Sequence, residues 1–499
     1  MTQAFRRSKP SYLVPSVENR MPRRPAVAAS LLVLSAAVSA AACAPVAPPP
    51  PPLAVLEPRV EVSVVRDGDD WSVDYVLDRD APAWAFFNSA LLRDSRRPWR
   101  PDWWTVQTPG VVIERVGDYD VLRTTDGGPV PRRVRIRMQP RAGDLEAAYD
   151  PALVFSDGAV ALYSEQFDVI PLDTAAAARA LPRDLNGVEV PGGPARVTWR
   201  DQAGPVLFKG ERLPKVTAVE AQTYVLFGDA ATRQGEGVTT VVDPGLPRWL
   251  GEELAGFTPR VMGYYARRLG AAPGDAPTLM VSWTGPTRSL SSMGGSVLPG
   301  MISMSFEGEG VLNPDREALD RAHWFIGHEG AHFWLGQAVR YEYARDMWIT
   351  EGGADLMAVR ALKSLNPAYD ARAELQTEVD DCVRLSQGRS IVTAAERGEH
   401  RAYYACGAVF AMAAEGAQKA GTGGDWFDFL KPLLAQPDGV LTRDEWLSAL
   451  TGVSRDPSLR LGVEQLLDQG AADPAAVIAR LFQRTGVAFR MEGGRVVLL

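Results

Sequence analysis

The stretch Trp324-Phe-Ile-Gly-His328-Glu329-Gly-Ala-His332-Phe-Trp334 carries two of the four histidines in a chain of 499 residues. With His this scarce, the pattern H-E-x-x-H is expected by chance about 0.002 times in such a chain, so its presence asks for a chemical reason. On an α-helix, residues four apart lie about 40° apart on one face and one turn apart along the axis, so both imidazoles can reach a single Zn²⁺. Glu329 sits beside them without ligating, placed to take a proton from an attacking water. Helix formers at Arg316-Glu-Ala-Leu-Asp320 and apolar residues at Phe325, Ile326, Phe333 and Leu335 predict that the helix is buried.

The third ligand is expected to be a carboxylate on a following helix. Asp346-Met-Trp348-Ile-Thr-Glu351-Gly-Gly-Ala-Asp355 provides it as Glu351, with 18 residues between His332 and Glu351. Three protein ligands leave a fourth position open, the arrangement of a catalytic rather than a structural zinc. Asp355, one turn beyond Glu351, reads as an acceptor for the second ring nitrogen of a ligand His, or as a charge favoured near a helix start. His323 lies five positions before His328, about 140° round the helix, and is not expected at the same metal.

Around this centre the chain divides by pattern. Residues 59–221 are broken into short alternating runs such as Val60–Val65, Trp71–Val76, Arg133–Met138 and Ala195–Trp199, separated by Pro, Gly and Asp. They predict half-buried strands in a sandwich-like β-rich domain, with Trp99, Trp103 and Trp104 as packing residues or a binding surface. Leu246–Leu269 has helical periodicity, Thr278–Ser282 reads as a strand, and helices dominate from Arg316 to about Arg484, with a small hairpin around Gly493-Gly494. The fold class is therefore α+β and multidomain, with a β-rich half followed by an α-rich catalytic domain (222–415) and a helical region (416–499).

The amino terminus reads as an export signal. Met21-Pro-Arg-Arg-Pro precedes an apolar run, Ala26 to Ala42, ending in small residues before Cys43, and residues 1–20 read as an extension ahead of the functional start. Small residues before a Cys resemble a bacterial lipobox, which would lipidate Cys43. Cleavage at an ordinary A-x-A site is the alternative, since Ala40 stands where Leu is usual. The Pro-rich residues 43–58 suit a tether. Ala44, rather than Asp, points to the outer membrane, and the expected location is the periplasm or cell envelope.

Export would leave Cys382 and Cys406 to pair as a disulfide, or to sit as two separate buried thiols. The net charge of −8 argues against a nucleic-acid partner. Without residues 1–42 the balance is 47 Lys and Arg against 60 Asp and Glu.

The combination of His328-Glu329-x-x-His332, 18 residues and Glu351, with His332-Phe-Trp334-Leu-Gly336 and Asp346-Met-Trp348-Ile-Thr-Glu351-Gly352, resembles the gluzincin metallopeptidases of the aminopeptidase N family. The resemblance implies a thermolysin-like catalytic domain behind a β-rich one, one Zn²⁺, and a peptide or protein substrate. It also implies a catalytic Tyr some 50–65 residues after the zinc Glu. Tyr404 in Tyr403-Tyr-Ala-Cys-Gly407 corresponds, with Cys406 in place of the family's Lys, Tyr403 as the adjacent candidate, and helix packing as the plain alternative.

The family's G-x-M-E-N segment, whose Glu binds a substrate amine, has its counterpart in Gly295-Ser-Val-Leu298-Pro, where Leu298 stands in place of the acid. Glu307 and Glu309 are candidate substitutes or solvated turn residues. The expected function is zinc-dependent peptide hydrolysis by an exported, lipid-anchored enzyme, either exo- or endopeptidase. The competing expectation is a periplasmic binding or assembly lipoprotein that keeps zinc without hydrolysing peptides.

Overall fold

The computed structural model describes residues 60–499, apart from 147, 183–184, 186–189, 236–237, 275–276 and 291. The export signal, the tether and Cys43 lie outside the described residues. Among the described residues no helix is long and apolar enough to cross a membrane.

The amino-terminal half is built from three sheets of six, four and five strands. Alternation explains the strands that face one core. In Arg133–Met138 the valine, isoleucine and methionine are buried while the arginines between them are exposed. Three of the other strands, Ala83–Phe86, Val160–Tyr163 and Tyr224–Phe227, are buried at every position and show no alternation. Tyr224–Phe227 pairs with Val160–Tyr163, so the hydrogen bonding of the β-rich half runs past residue 221. One apolar core joins residues from all three sheets, including Trp84, Trp199 and Phe227.

Trp99, Trp103 and Trp104 belong to that core and are packing residues. Arg100, among them, is fully buried, lies over the Phe86, Trp99 and Trp104 rings and pairs with Asp120 at 2.8 Å.

The second half opens with a five-stranded mixed sheet. Its last hairpin pairs the edge strand Ser292–Leu298 with Met301–Glu307. The helix Arg248–Leu269 connects two of its strands, and helices Arg316–Ala331, Trp348–Leu365, Ala371–Ser386 and Arg401–Thr422 follow; all share one apolar core with the carboxy-terminal helices and hairpin. A separate apolar seam joins the two halves, with Tyr163 and Tyr224 of the first against Met280, Leu298 and Met301 of the second. The whole is a multidomain α+β protein in which β-rich sheets precede a helical region.

Candidate active site

The motif helix Arg316–Ala331 begins at Asp315, whose side chain accepts from the Glu317 N–H, the cap expected of Asp at that position. It is fixed laterally by the Tyr265 hydroxyl, which donates to the Gly327 carbonyl at 2.9 Å. The helix ends at Ala331, yet His332 keeps helical backbone angles as its cap, so the one-turn spacing to His328 survives.

Glu351 lies in the first turn of the helix Trp348–Leu365 and Asp355 one turn further. His328, Glu329, His332, Glu351 and Asp355 are all buried.

The ligand atoms converge. His328 Nε2 and His332 Nε2 are 3.0 Å apart, and each lies 3.4 Å from Glu351 Oε2. The other ring nitrogens are committed: His328 Nδ1–H donates to Asp355 Oδ1 at 2.8 Å, and His332 Nδ1–H to the Leu335 carbonyl at 2.8 Å. With those protons placed, both Nε2 atoms and the carboxylate oxygen are acceptors, and three acceptors facing one another repel unless a cation lies between them. Ligands about 2.0–2.1 Å from a tetrahedral Zn²⁺ stand about 3.3 Å apart, so both the donor set and its spacing fit zinc.

Without a metal, protons supply the positive charge between these atoms. Burial alone would lower the pKa of His328, but the Asp355, Glu351 and Glu329 carboxylates outweigh it and raise the value. His332 is raised in the same way, burial being outweighed chiefly by Glu351. Burial would raise Glu351, but the His332 and His328 rings hold it well below the ordinary carboxylate range. His323 lies off the site, stacked on Phe257 with ring centroids 4.0 Å apart, and burial pushes its pKa down to about 4.

The two tyrosines separate. Tyr403 donates to the Val392 carbonyl at 3.3 Å and accepts from the Ala395 N–H at 3.4 Å. The Tyr404 ring lies over His328, centroids 5.8 Å apart and 23° between planes. Cys406, two residues on, is bonded to Cys382 of the helix Ala371–Ser386.

Leu298 is 1% exposed and packed in the seam, so its apolar character answers to packing between the two halves. Glu307 accepts from the Thr287 hydroxyl and Glu309 from the Ser289 N–H, and both brace the loop before the edge strand.

Several positioning groups were not legible beforehand. The Leu335 carbonyl is a backbone atom with no sequence signature. Arg401 donates to Glu378 at 2.6 Å and to Asp381 at 2.9 Å, and faces Asp355 Oδ2 at 3.7 Å. Gly352 and Gly407 make the helices Trp348–Leu365 and Arg401–Thr422 meet backbone to backbone. A Cβ on Gly352 would lie 2.1 Å from the Gly407 carbonyl carbon. Two glycines inside a helical pattern, right after Glu351, are the signal that could have found this approach.

No protein-family model matches the chain, and no curated protein matches it. Solved structures do. An aminopeptidase N family protein from Idiomarina loihiensis aligns over 84% of this chain and 78% of its own, with TM-score 0.59 and 12% identity. Leukotriene A4 hydrolase from Saccharomyces cerevisiae aligns over 84% and 68%, with TM-score 0.47 and 13% identity. An M1 zinc metallopeptidase from Deinococcus radiodurans, solved with a Tyr-Ser-Ala substrate, aligns over 82% and 92%, with TM-score 0.43 and 16% identity. The first of these likenesses gives the chain the fold of the aminopeptidase N family, a peptidase-like architecture.

Proposed function

We propose that the protein is an exported, lipid-anchored zinc metallopeptidase that hydrolyses peptide bonds. The observation that carries this reading is the convergence of His328 Nε2, His332 Nε2 and Glu351 Oε2 within 3.4 Å, with both Nδ1 protons committed elsewhere. These three residues would hold one Zn²⁺, which, when bound, supplies a Lewis acid that polarises a carbonyl and acidifies water.

The chain's own groups do the rest. Asp355 and the Leu335 carbonyl hold the two imidazoles in the tautomer that makes Nε2 the ligating nitrogen. Glu329, fully buried beside them, takes the proton of the attacking water and passes it to the leaving amine. Tyr404 donates its hydroxyl proton in a hydrogen bond to the oxyanion of the tetrahedral intermediate. The substrate is a peptide or protein met in the periplasm or cell envelope, and the anchor is Cys43.

Purified protein should hold one zinc per chain, and Glu329→Gln should keep that zinc while losing peptide turnover. Full activity of that variant would overturn the mechanism. Failure of the zinc-loaded wild type to cut a peptide library, with free or blocked amino termini, would favour a binding role. The location is tested separately by mass spectrometry of the mature amino terminus, where a diacylated Cys43 is expected and an unmodified terminus would remove the anchor.

A further inference from the structure

The edge strand Ser292–Leu298 is hydrogen-bonded on one side, to Met301–Glu307. In an antiparallel pair, alternate residues turn their N–H and C=O away from the partner. The Tyr149 hydroxyl donates to the Val297 carbonyl at 3.1 Å, which marks Val297 as one of the outward-facing residues. The same alternation puts Gly295 and Met293 on that edge. Residues Ser292 to Ser296 are half-buried, whereas Val297 and Leu298 are buried. Among the described residues the edge is therefore part-exposed along most of its length and buried at one end, with the Gly295 carbonyl accepting from the Ser296 hydroxyl at 2.8 Å.

Tyr149 comes from the β-rich half and is held from behind. Its ring centroid lies 5.0 Å from that of Tyr163, which lies 5.6 Å from that of Tyr224. Tyr224 in turn donates to the Asp150 carbonyl at 2.8 Å. The edge strand also crosses the motif helix: a Cβ on Gly295 would lie 2.7 Å from the Phe325 ring, one turn before Glu329. A half-buried phenol fixed by an aromatic ladder thus stands at the end of the edge strand that crosses the motif helix.

We propose that Tyr149 is a specificity-determining residue that closes one end of a peptide-binding edge. An extended substrate pairs with the backbone of Met293 and Gly295 and stops at Tyr149, which occupies the Val297 carbonyl. This rests on the peptidase reading and deepens it. The favoured substrates are peptides whose chain ends, or turns away, a fixed number of residues from the scissile bond on that side. Recognition there is by length, because the group that closes the edge is a phenol and not a charge.

The test uses binding, so that it survives a failure of turnover. Zinc-loaded full-length protein carrying Glu329→Gln is titrated by calorimetry with unlabelled peptides lengthened one residue at a time from either end. Affinity should rise with length at one end and then stop rising, with no such limit at the other end. Adding Tyr149→Ala should move the limit outward by about two residues, the spacing of outward-facing positions on a strand. Adding Tyr149→Phe keeps the packed ring and frees the Val297 carbonyl, and should tighten binding of peptides that reach it by about threefold or more.

Identical length profiles in the three proteins would overturn the proposal, and so would absence of peptide binding at every length. A Tyr149-dependent limit without cleavage by the wild type would sink the peptidase reading and leave the closed edge standing.

Discussion

Gly407→Ala is the substitution through which the packing of the site can be tested most directly. A Cβ at Gly407 would lie 2.2 Å from the Trp348 carbonyl oxygen, 3.0 Å from Gly352 Cα and 3.1 Å from the Trp348 carbonyl carbon. All three are backbone atoms of the helix that carries Glu351, and none can swing aside as a side chain would. Restoring ordinary contact at about 3.5 Å requires the two helices to part by about 1 Å. Overpacking of this kind costs about 1–3 kcal/mol.

The movement also reaches the chemistry, because Tyr404 lies one turn before Gly407 and Glu351 adjoins Gly352. A misplacement of about 1 Å at a reacting group can cost about a hundredfold in rate. The expected result is lower stability in urea, weaker zinc binding in competition with a chromophoric chelator, and a large loss of turnover. Gly256→Ala is the control. Its Cβ would meet nothing within 4 Å, on an exposed face of the helix Arg248–Leu269, so it should stabilise by about 0.5–1 kcal/mol. Unchanged zinc affinity and unchanged stability in Gly407→Ala would refute the close-crossing argument.

Asp355→Ala removes the acceptor that orients His328, and zinc affinity should fall about 10–100-fold, read by chelator competition. Replacing Cys382 and Cys406 together by Ala opens a loop spanning 24 positions, and by the chain-entropy relation stability should fall by about 3.5 kcal/mol in denaturant titrations. The pH dependence has opposite signs with and without metal. His328 and His332 have folded-state pKa values raised above 6.5, so their contribution to the metal-free fold is full below 6.5 and is lost as pH rises through the raised values. The melting temperature of metal-free protein should therefore fall over that window. Zinc binding must displace those protons, so zinc affinity should weaken as pH falls through the same window, and a pH-independent affinity would contradict the assignment.

The convergence of His328, His332 and Glu351 was legible because a candidate metal cluster constrains type and spacing at once: two imidazoles one turn apart, a glutamate between, a carboxylate on the next helix. The α-rich order was legible through long helical periodicity, and Leu246–Leu269 differs from the observed helix Arg248–Leu269 by one short step at its start. Strands with one wet face, such as Arg133–Met138, announced themselves by alternation. Ala83–Phe86 and Val160–Tyr163 did not, because burial on both faces erases the period-two signal that marks a strand. Tyr149 was invisible for another reason. Its partner, Val297, lies 148 positions away, and the contact exists only once two separately patterned halves are packed together.

The charge balance beneath the site makes a further argument for positive charge at the cage. Glu329, Glu351, Asp355 and Glu378 are all buried to within 1%. Among the described residues Arg401 is a permanent cation that reaches this group, donating to Glu378 and facing Asp355, while without a metal the remaining positive charge falls to protons on His328 and His332. Burying carboxylates in such excess over cations is costly, and proteins relieve it by protonation or by a bound ion. Protonation is visible here. Burial pushes Glu378 up to about 8, in spite of Arg401, which lets it carry a proton at neutral pH. Glu351 goes the other way and is held ionised by the two histidines, which keeps a full negative charge pointed at their Nε2 atoms. A site that discharges its outlying carboxylate and retains the one aimed into the cage is organised around a positive charge at the cage. Removing Glu351 should therefore weaken zinc binding far more than removing Glu378, although both are equally buried.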